Sequence, residues 1–311
     1  LICTMKKIYS LFWKFVPCKI IHNFFIGNSY DIEIAFLEGI PSKIISASSN
    51  KSSKKYCWIH VDLLNEKKSD VFFRNKKSMY NVYSKFDKIV CVSNTVKKSS
   101  LERFNIDSDK VAVRHNPIDS DKIILLSDKK IDLPYEKNIF NICSVGRLCN
   151  QKGYDRLVKV VAELVKSNKN FCVYIIGEGP DKFKLLEAIK NYKVDSYIKL
   201  LGYQENPYPY LKKSDLFVCS SRAEGYSTVA TEATILGIPA VVTNCSGMDE
   251  IYENGKYGLI VENSEEGIFK GLSLIINSEE KYNFFKSQIQ LRKNSFNMKY
   301  LIESIEELLL T

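Results

Sequence analysis

One local pattern recurs through the second half of the sequence: a short apolar segment ends at a glycine or polar turn and is followed by a helical pattern. Five stretches share it, at residues 142–147, 173–180, 198–203, 215–219 and 237–243. Apolar runs of this length that alternate with helical periods predict repeated βα units and an open parallel sheet. Ligands of such sheets bind outside the carboxyl ends of the strands, so the turns are the place to look for chemistry.

The turn after residues 215–219 carries two carboxylates. It leads into a predicted helix from Tyr226 to Leu236, and Glu224 and Glu232 bracket the junction. The first turn of a helix offers free N–H groups and a positive dipole end, which favour phosphate. Eight residues at helical rise span about 12 Å at most, so the two carboxylates suit hydroxyls at the two ends of a diphosphate. Two solvated surface glutamates are the alternative interpretation of the spacing alone.

The ordered set of turns resembles the donor domain of family-4 glycosyltransferases, which are retaining enzymes of GT-B architecture. The turns that carry the resemblance are Gly146-Arg147, Lys152-Gly153, the Gly-x-Gly-Pro turn at 177–180, Gly202-Tyr203, Glu224-x7-Glu232 and the Gly-x-Pro turn at 237–239. The resemblance covers about residues 139–262. It implies two Rossmann-like domains facing a central cleft. It also implies sugar transfer from a nucleotide diphosphate sugar, expected to be a UDP-sugar, to a surface polysaccharide or lipid-linked glycan.

The resemblance also implies a role for each site residue. Arg147 and Lys152 would bind the diphosphate, since Arg suits bidentate contact and Lys a point charge. Glu224 would bind the donor sugar, and His60 in the first half would lie near it. The remaining expected donor-binding residues are Gly146, Gly202, Tyr203, Gly225, Tyr226, Ser227, Thr228 and Glu232. Because side chains supply the positive charge, no metal and no other cofactor are expected.

The first half also alternates strands and helices, and it resembles the acceptor domain of the same family. Strands are predicted at residues 30–38, 43–46, 55–60, 87–92 and 110–114, and helices at 69–84 and 94–104. The resulting division is an acceptor domain at 1–133, a donor domain at 134–290 and a terminal helix at 291–311 that packs back on the first domain. A polar linker is predicted at 118–136.

The glycine-rich turn with which family members open is missing here, because Gly27 is the only glycine before Gly39. The chain also starts at Leu1, with Met5 as the first methionine. A first domain truncated at its amino end is therefore expected. A non-enzymatic nucleotide-sugar-binding remnant stays an alternative, as does a GT-B nucleotide-sugar epimerase. For an epimerase, Asp62 and Glu66 are the best acid/base candidates, although they lack the expected pattern.

Charge is placed unevenly along the chain. Residues 1–133 contain 23 Lys and Arg against 14 Asp and Glu, whereas residues 134–311 contain 22 of each. Such a bias indicates an anionic partner, and without nucleic-acid motifs the anionic face of a membrane is favoured over nucleic acid. Nine cysteines without paired spacing indicate buried thiols in a reducing compartment. The expected location is cytoplasmic and peripheral, at the inner face of the cell membrane.

Overall fold

The computed structural model describes residues 2–27, 30–132, 134–135, 138–167 and 170–310. Contacts divide the chain into two compact units. Unit 1 contains residues 1–116 and 303–311, and unit 2 contains residues 117–302. Each unit surrounds a parallel sheet, which confirms the predicted α/β fold class.

Unit 1 is built on a four-stranded parallel sheet in the order β1-β2-β3-β4. Its strands are β1 (Ile32–Ala35), β2 (Lys54–Ile59), β3 (Lys88–Cys91) and β4 (Val111–Val113). Its helices are α1 (Ile2–Phe15), α2 (Cys18–Phe25), α3 (Ile40–Ile45), α4 (Lys76–Tyr83) and α5 (Asn94–Phe104). A 3-10 turn at Lys68–Phe72 precedes α4. The residues of β2 are buried from Tyr56 onward, as expected for a strand covered on both faces.

Two local features fix unit 1. The Ser93 side chain accepts a hydrogen bond from the N–H of Val96 and begins α5 at the predicted residue. A buried pair connects α2 to the sheet, since His22 Nε2 lies 2.8 Å from Glu33 Oε2. The hydroxyls of Ser48 and Ser53 each donate to Glu33 Oε1 at 2.8 Å. Burial alone would raise the pKa of Glu33, but these hydrogen bonds together lower it.

Unit 2 is built on a six-stranded parallel sheet in the order β10-β9-β8-β5-β6-β7. Its strands are β5 (Phe140–Val145), β6 (Phe171–Ile176), β7 (Ile198–Gly202), β8 (Leu216–Cys219), β9 (Ala240–Thr243) and β10 (Leu259–Val261). Its helices are α6 (Ser120–Ser127), α7 (Tyr154–Leu164), α8 (Lys182–Asn191), α9 (Tyr208–Lys213), α10 (Thr228–Ile235), α11 (Met248–Ile251), α12 (Glu265–Asn277) and α13 (Glu279–Arg292). The strand order reverses between β5 and β8, which is where ligands of doubly wound sheets bind.

The core of unit 2 lies between this sheet and its helices. The apolar face of α7 supplies Leu157, Val158 and Val161, all fully buried, and packs against α12. Glycines allow the turns at the carboxyl edge of the sheet to approach one another closely. Gly153, for example, has φ of +66°, and a Cβ built there would lie 2.1 Å from the carbonyl oxygen of Ser220. The βα periodicity thus brings the turns after β5 and β8 into direct contact.

Several local predictions were wrong. Residues 43–46 were predicted as a strand, but they belong to α3 and its C-cap, because Gly39 and Pro41 start a helix there. The predicted linker at 118–136 contains α6, which packs against α9 and α10 in unit 2. The helix predicted from Tyr226 begins only at Thr228, because Ser227 is its N-cap.

The terminal helix, predicted within residues 291–311, is α14 (Met298–Leu310). Its last residues, 303–311, belong to unit 1. Within that unit, the hydroxyl of Tyr56 donates to the carbonyl oxygens of Leu308 and Leu309, both at 3.1 Å. Arg114 Nε donates to the carbonyl oxygen of Ser304 at 2.8 Å. The Tyr56 bonds satisfy two carbonyl groups in the last turn of the helix, where carbonyl groups have no intrahelical partner.

Candidate functional site

The turns that follow β5 and β8 meet at the point where the strand order of unit 2 reverses. Several hydrogen bonds join them. The backbone N–H of Arg222 donates to the carbonyl oxygen of Gln151 at 2.7 Å, and Gln151 Nε2 donates to the carbonyl oxygen of Ala223 at 3.0 Å. Arg222 also makes a bidentate ion pair with Asp155, with N–O distances of 2.7 and 2.6 Å. The two turns therefore form one preorganised surface.

A cation and a carboxylate lie together on this surface. Lys152 Nζ is 2.7 Å from Glu224 Oε1, and the hydroxyl of Ser221 donates to the same oxygen at 2.5 Å. Glu224 is only 8% exposed. Burial alone would lower the pKa of Lys152, but the attraction of Glu224 outweighs it and raises that pKa, so the ammonium stays charged. Two residues that the sequence predicts for the diphosphate and the donor sugar are thus brought into contact.

Gly146 allows Lys152 to reach Glu224. A Cβ built on Gly146 would lie 2.9 Å from the hydroxyl oxygen of Tyr154 and 3.4 Å from the Cδ and Cε atoms of Lys152. The lysine side chain therefore runs directly over the glycine. A small cavity at the same place has a lining that is partly apolar and includes six polar residues: Ser144, Lys152, Tyr154, Ser220, Ser221 and Ser227.

The other predicted diphosphate contacts lie at the same edge of the sheet. The exposed Arg147 follows β5, and within the described part of the chain its guanidinium has no hydrogen-bond or ion-pair partner. The side chain of Ser227 accepts from the N–H of Ala230 at 3.3 Å and caps α10, while Thr228 is exposed in the first turn. Four N–H groups at such a helix start lack intrahelical partners, which suits an anion.

Glu232 lies in α10, one to two turns beyond the cap. Its side chain accepts a hydrogen bond from Tyr208, which is the first residue of α9. Burial raises the pKa of Glu232 above its ordinary 4.5, although the Tyr208 hydrogen bond lowers it in part. Tyr208 was not predicted from the sequence, because no motif marks it and the two residues are far apart along the chain.

The raised pKa of Glu232 predicts a pH-dependent stability. Between pH 4.5 and the raised pKa, the folded protein retains a proton that the unfolded chain releases, so stability falls as pH rises through this window. Glu232→Gln should remove that loss, and its stability advantage over the wild type should grow with pH and then level off. Tyr208→Phe should widen the window, because it removes a bond that favours the ionised form. Urea unfolding of the three proteins between pH 4 and 8 measures these stabilities. A stability difference between Glu232→Gln and the wild type that does not change with pH would contradict the prediction.

Four further donor-binding predictions lie at the end of β7 and in the turn between β8 and α10. Gly202 ends β7 with φ of +70°, and the next residue, Tyr203, is 73% exposed. Since β6 separates β7 from β5, Tyr203 lies at some distance from the Lys152–Glu224 pair. Gly225 and Tyr226 follow Glu224 directly and are buried. The roles of all four toward a donor stay predictions.

His60 lies in unit 1, directly after β2. Its Nε2 atom is buried and has no hydrogen-bond partner among the residues described. A hydrogen bond with the Phe36 backbone favours the protonated imidazole, and the Phe36 ring lies 5.1 Å from it. Burial lowers the pKa of His60 despite the opposing effect of Glu38, so the imidazole is neutral at pH 7. A buried, unpaired ring nitrogen suits a ligand contact.

Neither the epimerase nor a metal gains support from the site. Asp62 is buried and is used by a turn, where its oxygens accept from the N–H of Leu64 at 3.0 Å and from Asn65 Nδ2 at 2.9 Å. Among the described residues, no three or more His, Cys, Asp and Glu side chains cluster as metal ligands would. That transfer needs no metal stays a prediction.

Comparison with known proteins defines the class. The family model for glycosyl transferases group 1 matches residues 127–292, which is more than half of the chain. This span contains the sheet of unit 2 and both turns of the site. The chain therefore belongs to the group 1 glycosyl transferase family.

Two characterised relatives match much of the chain. An N-acetylgalactosamine-N,N'-diacetylbacillosaminyl-diphospho-undecaprenol 4-alpha-N-acetylgalactosaminyltransferase of Campylobacter jejuni is 30% identical over 238 residues, which are 73% of this chain and 63% of that protein. A UDP-Gal:alpha-D-GlcNAc-diphosphoundecaprenol alpha-1,3-galactosyltransferase of Escherichia coli is 26% identical over 71% of this chain and 59% of its own length. The chain thus spans about three fifths of each of these relatives.

Solved structures resemble the fold. Anabaena HepE, crystallised in complex with UDP and glucose, matches with a TM-score of 0.76 and 17% identity, over 94% of this chain and 79% of HepE. This likeness confirms the predicted GT-B fold class.

Proposed function

We propose that this chain is a retaining glycosyltransferase of the family-4 type that transfers a sugar from a UDP-sugar to a lipid-linked glycan. The observation that carries the proposal is the Lys152–Glu224 pair, held at 2.7 Å where the strand order of unit 2 reverses. A charged ammonium beside a nearly buried carboxylate can bind an anion and sugar hydroxyls at neighbouring positions. That combination suits the phosphate–sugar junction of a nucleotide sugar.

Each residue then has a chemical task. The departing diphosphate is stabilised by Lys152, by the exposed Arg147 and by the N–H groups at the start of α10. Of the two Glu224 oxygens, Oε1 accepts from Lys152 and Ser221, so Oε2 is the one that faces a sugar hydroxyl. The Glu232 carboxylate accepts hydrogen bonds from the ribose hydroxyls and from the Tyr208 hydroxyl. In unit 1, the unpaired ring nitrogen of His60 suits a hydrogen bond from a ligand hydroxyl.

The acceptor is inferred from the relatives and from the charge of unit 1. Both relatives described above act on undecaprenol-diphosphate-linked glycans according to their names. Unit 1 carries 20 Lys and Arg against 13 Asp and Glu, whereas unit 2 carries 25 against 23. A basic unit suits an acceptor that bears phosphates and lies at an anionic membrane.

A transfer assay tests the proposal. The purified chain is incubated with a panel of UDP-sugars and an undecaprenyl-diphosphate-linked N-acetylhexosamine, and the products are resolved by mass spectrometry. One UDP-sugar should give a glycolipid heavier by one sugar, with the anomeric configuration of the donor by NMR. Loss of the product in Glu224→Gln ties it to the site. Binding of UDP without transfer from any donor would instead support the remnant, and product with inverted configuration would contradict the retaining type.

Unit 1 also presents an apolar surface that suits a membrane interface. On α1 and α2, the exposed fractions of Ile8, Phe12, Ile20, Phe24 and Phe25 lie between 55% and 81%. His22 and Cys18 on α2 are buried instead, so the buried His22–Glu33 pair fixes which face of α2 is exposed. Within the described residues, no helix is both long and apolar enough to span a bilayer. An amphipathic helix with nearby lysines can lie in the interface.

We therefore predict reversible binding to anionic vesicles. Each Lys or Arg near the surface contributes about 1 kcal/mol, and the attraction decays over a Debye length of about 8 Å at physiological salt. Replacing Phe24 and Phe25 by serine should weaken binding about tenfold or more, since full burial of one Phe contributes roughly 1.5–3 kcal/mol. Phe183→Ser in unit 2, where Phe183 is 83% exposed, is the matched control and should bind like the wild type.

Co-sedimentation with phosphatidylcholine vesicles, with and without phosphatidylglycerol, at low and high salt measures this binding. Two results would contradict a docking surface on α1 and α2: vesicle binding that does not depend on lipid charge, or a loss of binding in Phe183→Ser equal to that in the Phe24 and Phe25 variant.

A further inference from the structure

Arg156, in the first turn of α7, is a buried cation that the diphosphate and sugar contacts do not use. It is 6% exposed. Its Nε and Nη2 atoms donate to the carbonyl oxygen of Ser220 at 3.0 and 2.8 Å, and Nη2 donates to that of Ser221 at 2.7 Å. Nη2 and Nη1 also reach the Oδ1 and carbonyl oxygen of Asn263 at 2.6 and 3.3 Å. The guanidinium thus joins the turn after β8 to the segment after β10.

This arrangement is unusual for a buried charge. Buried cations are normally paired with a carboxylate. Within the described chain, however, no Asp or Glu oxygen lies within 4 Å of the Arg156 guanidinium, and the neighbouring Asp155 pairs with Arg222 instead. The hydrogen-bond acceptors of the guanidinium are instead the carbonyl oxygens of Ser220, Ser221 and Asn263 and the side-chain amide oxygen of Asn263. Burial of such a charge is unfavourable, so a buried arginine here indicates that its hydrogen bonds have a structural role: they fix these carbonyl groups in place.

The two serines whose carbonyl oxygens accept from Arg156 also bond to Lys152 and Glu224. The hydroxyl of Ser220 donates to the carbonyl oxygen of Lys152 at 2.9 Å, and the hydroxyl of Ser221 donates to Glu224 Oε1 at 2.5 Å. Thr243, at the end of β9, also donates to the carbonyl oxygen of Ser221, at 2.6 Å. The position of both Lys152 and Glu224 therefore depends on the backbone at residues 220–221.

We propose that Arg156 is a positioning residue that fixes the Ser220–Ser221 backbone and through it the separation of Lys152 and Glu224. This role rests on the proposed function, because it concerns the same donor site. A lysine at this position keeps the charge but has one ammonium in place of a planar fork, so it cannot bond all these carbonyl oxygens at once. The role therefore requires the planar set of donors of a guanidinium in addition to its charge.

The test uses the full chain, with UDP as the probe and Arg292→Met as the matched control. Arg292 also donates to backbone carbonyl oxygens in unit 2, those of Ile251 at 3.1 Å and Glu250 at 3.0 Å, but it does not contact residues 220–224. Arg156→Met should weaken UDP binding at least tenfold in calorimetry, and Arg156→Lys should restore it only in part. Arg292→Met should lower the melting temperature without changing UDP affinity.

A second readout distinguishes positioning from a general loss of stability. Lys152→Ala removes one of the groups that Arg156 is proposed to place, so the losses of UDP affinity from Arg156→Lys and Lys152→Ala should be less than additive in a double-mutant cycle. Hydrogen exchange of the Arg222 amide, which donates to Gln151, should be at least tenfold faster in Arg156→Lys than in Arg292→Met. Additive losses, or equal exchange in the two variants, would overturn the role of Arg156.

The outcomes separate the two proposals. If the wild type does not bind UDP but residues 220–224 still exchange faster in Arg156→Lys, the proposed function fails and the positioning role stands. If the wild type binds UDP and the Arg156 variants bind it equally well, the role of Arg156 fails while the proposed function stands.

Discussion

Replacing Lys152 with alanine is expected to weaken UDP binding by roughly 1.5–3 kcal/mol, or about 10- to 150-fold, the range for charge-assisted hydrogen bonds. The structure gives two reasons for a large effect. The ammonium is the cation that lies beside Glu224, and its side chain is only 22% exposed, so solvent screens it weakly. Without the ammonium, the Glu224 carboxylate still accepts a hydrogen bond from the Ser221 hydroxyl, but the positive charge beside it is lost. The negative charges of Glu224 and the diphosphate then repel each other.

Isothermal titration calorimetry with UDP measures this effect, and Lys159→Ala is the matched control. Lys159 lies in the same region of unit 2, on α7, and also pairs with a glutamate, because its Nζ is 2.7 Å from Glu265 Oε1. That pair is about half exposed and does not belong to the turns after β5 and β8. The control should bind UDP like the wild type. Equal affinities for UDP in the wild type and in Lys152→Ala would place the diphosphate elsewhere.

Replacing Gly153 with alanine is expected to destabilise unit 2 by about 2–5 kcal/mol. A left-handed backbone costs an L-residue about 1–2 kcal/mol, and an extra methyl group in a filled space costs about 1–3 kcal/mol more. Both apply here, because Gly153 has φ of +66° and its Cβ would lie 2.1 Å from the carbonyl oxygen of Ser220. The turn after β8 would have to move away, so UDP binding should fall as well.

Gly255→Ala separates the two contributions. Gly255 also has positive φ, of +91°, but a Cβ there would meet only the carbonyl oxygen of Gly258, at 3.7 Å. Only the backbone contribution should remain, so chemical denaturation should give a loss of about 1–2 kcal/mol and calorimetry an unchanged UDP affinity. A Gly153→Ala protein as stable as Gly255→Ala would show that the turns after β5 and β8 are not in close contact.

Sequence periodicity predicted most of unit 2 because its strands are short, apolar and ended by turn residues. The strand at 215–219, for example, was found as β8 (Leu216–Cys219), and the terminal helix predicted within 291–311 was found as α14 (Met298–Leu310). Strong amphipathic periods and caps, such as Ser264 before α12, make such bounds readable from local sequence.

The failures have local physical causes. Residues 43–46 contain two isoleucines and favour a strand by propensity, but Gly39 as N-cap and Pro41 in the first turn favour the helix that forms. The polar composition of residues 118–136 suggested a linker. Asp119 nevertheless caps α6 by accepting from the N–H of Lys122, and the buried Ile123 fixes that helix to unit 2.

The site was predicted in part. The turns that carry Arg147, Lys152 and Glu224 were found from motif order, but their contacts depend on strand order, which spacing does not reveal. Lys152 and Glu224 are 72 positions apart, and only the adjacency of β5 and β8 brings them together. The burial of Arg156 could not be predicted either, because a charged residue in an amphipathic helix ordinarily indicates its solvent face.

The most direct test of the account is the location of the nucleotide, measured by hydrogen-exchange mass spectrometry with and without saturating UDP. We expect UDP to slow exchange in two segments of unit 2, residues 146–153 and 220–232, which carry Arg147, Lys152, Glu224 and Glu232. Slower exchange confined to other parts of unit 2, such as the groove between α7 and α12 that Lys159 and Phe269 line, would contradict a donor site where the strand order reverses.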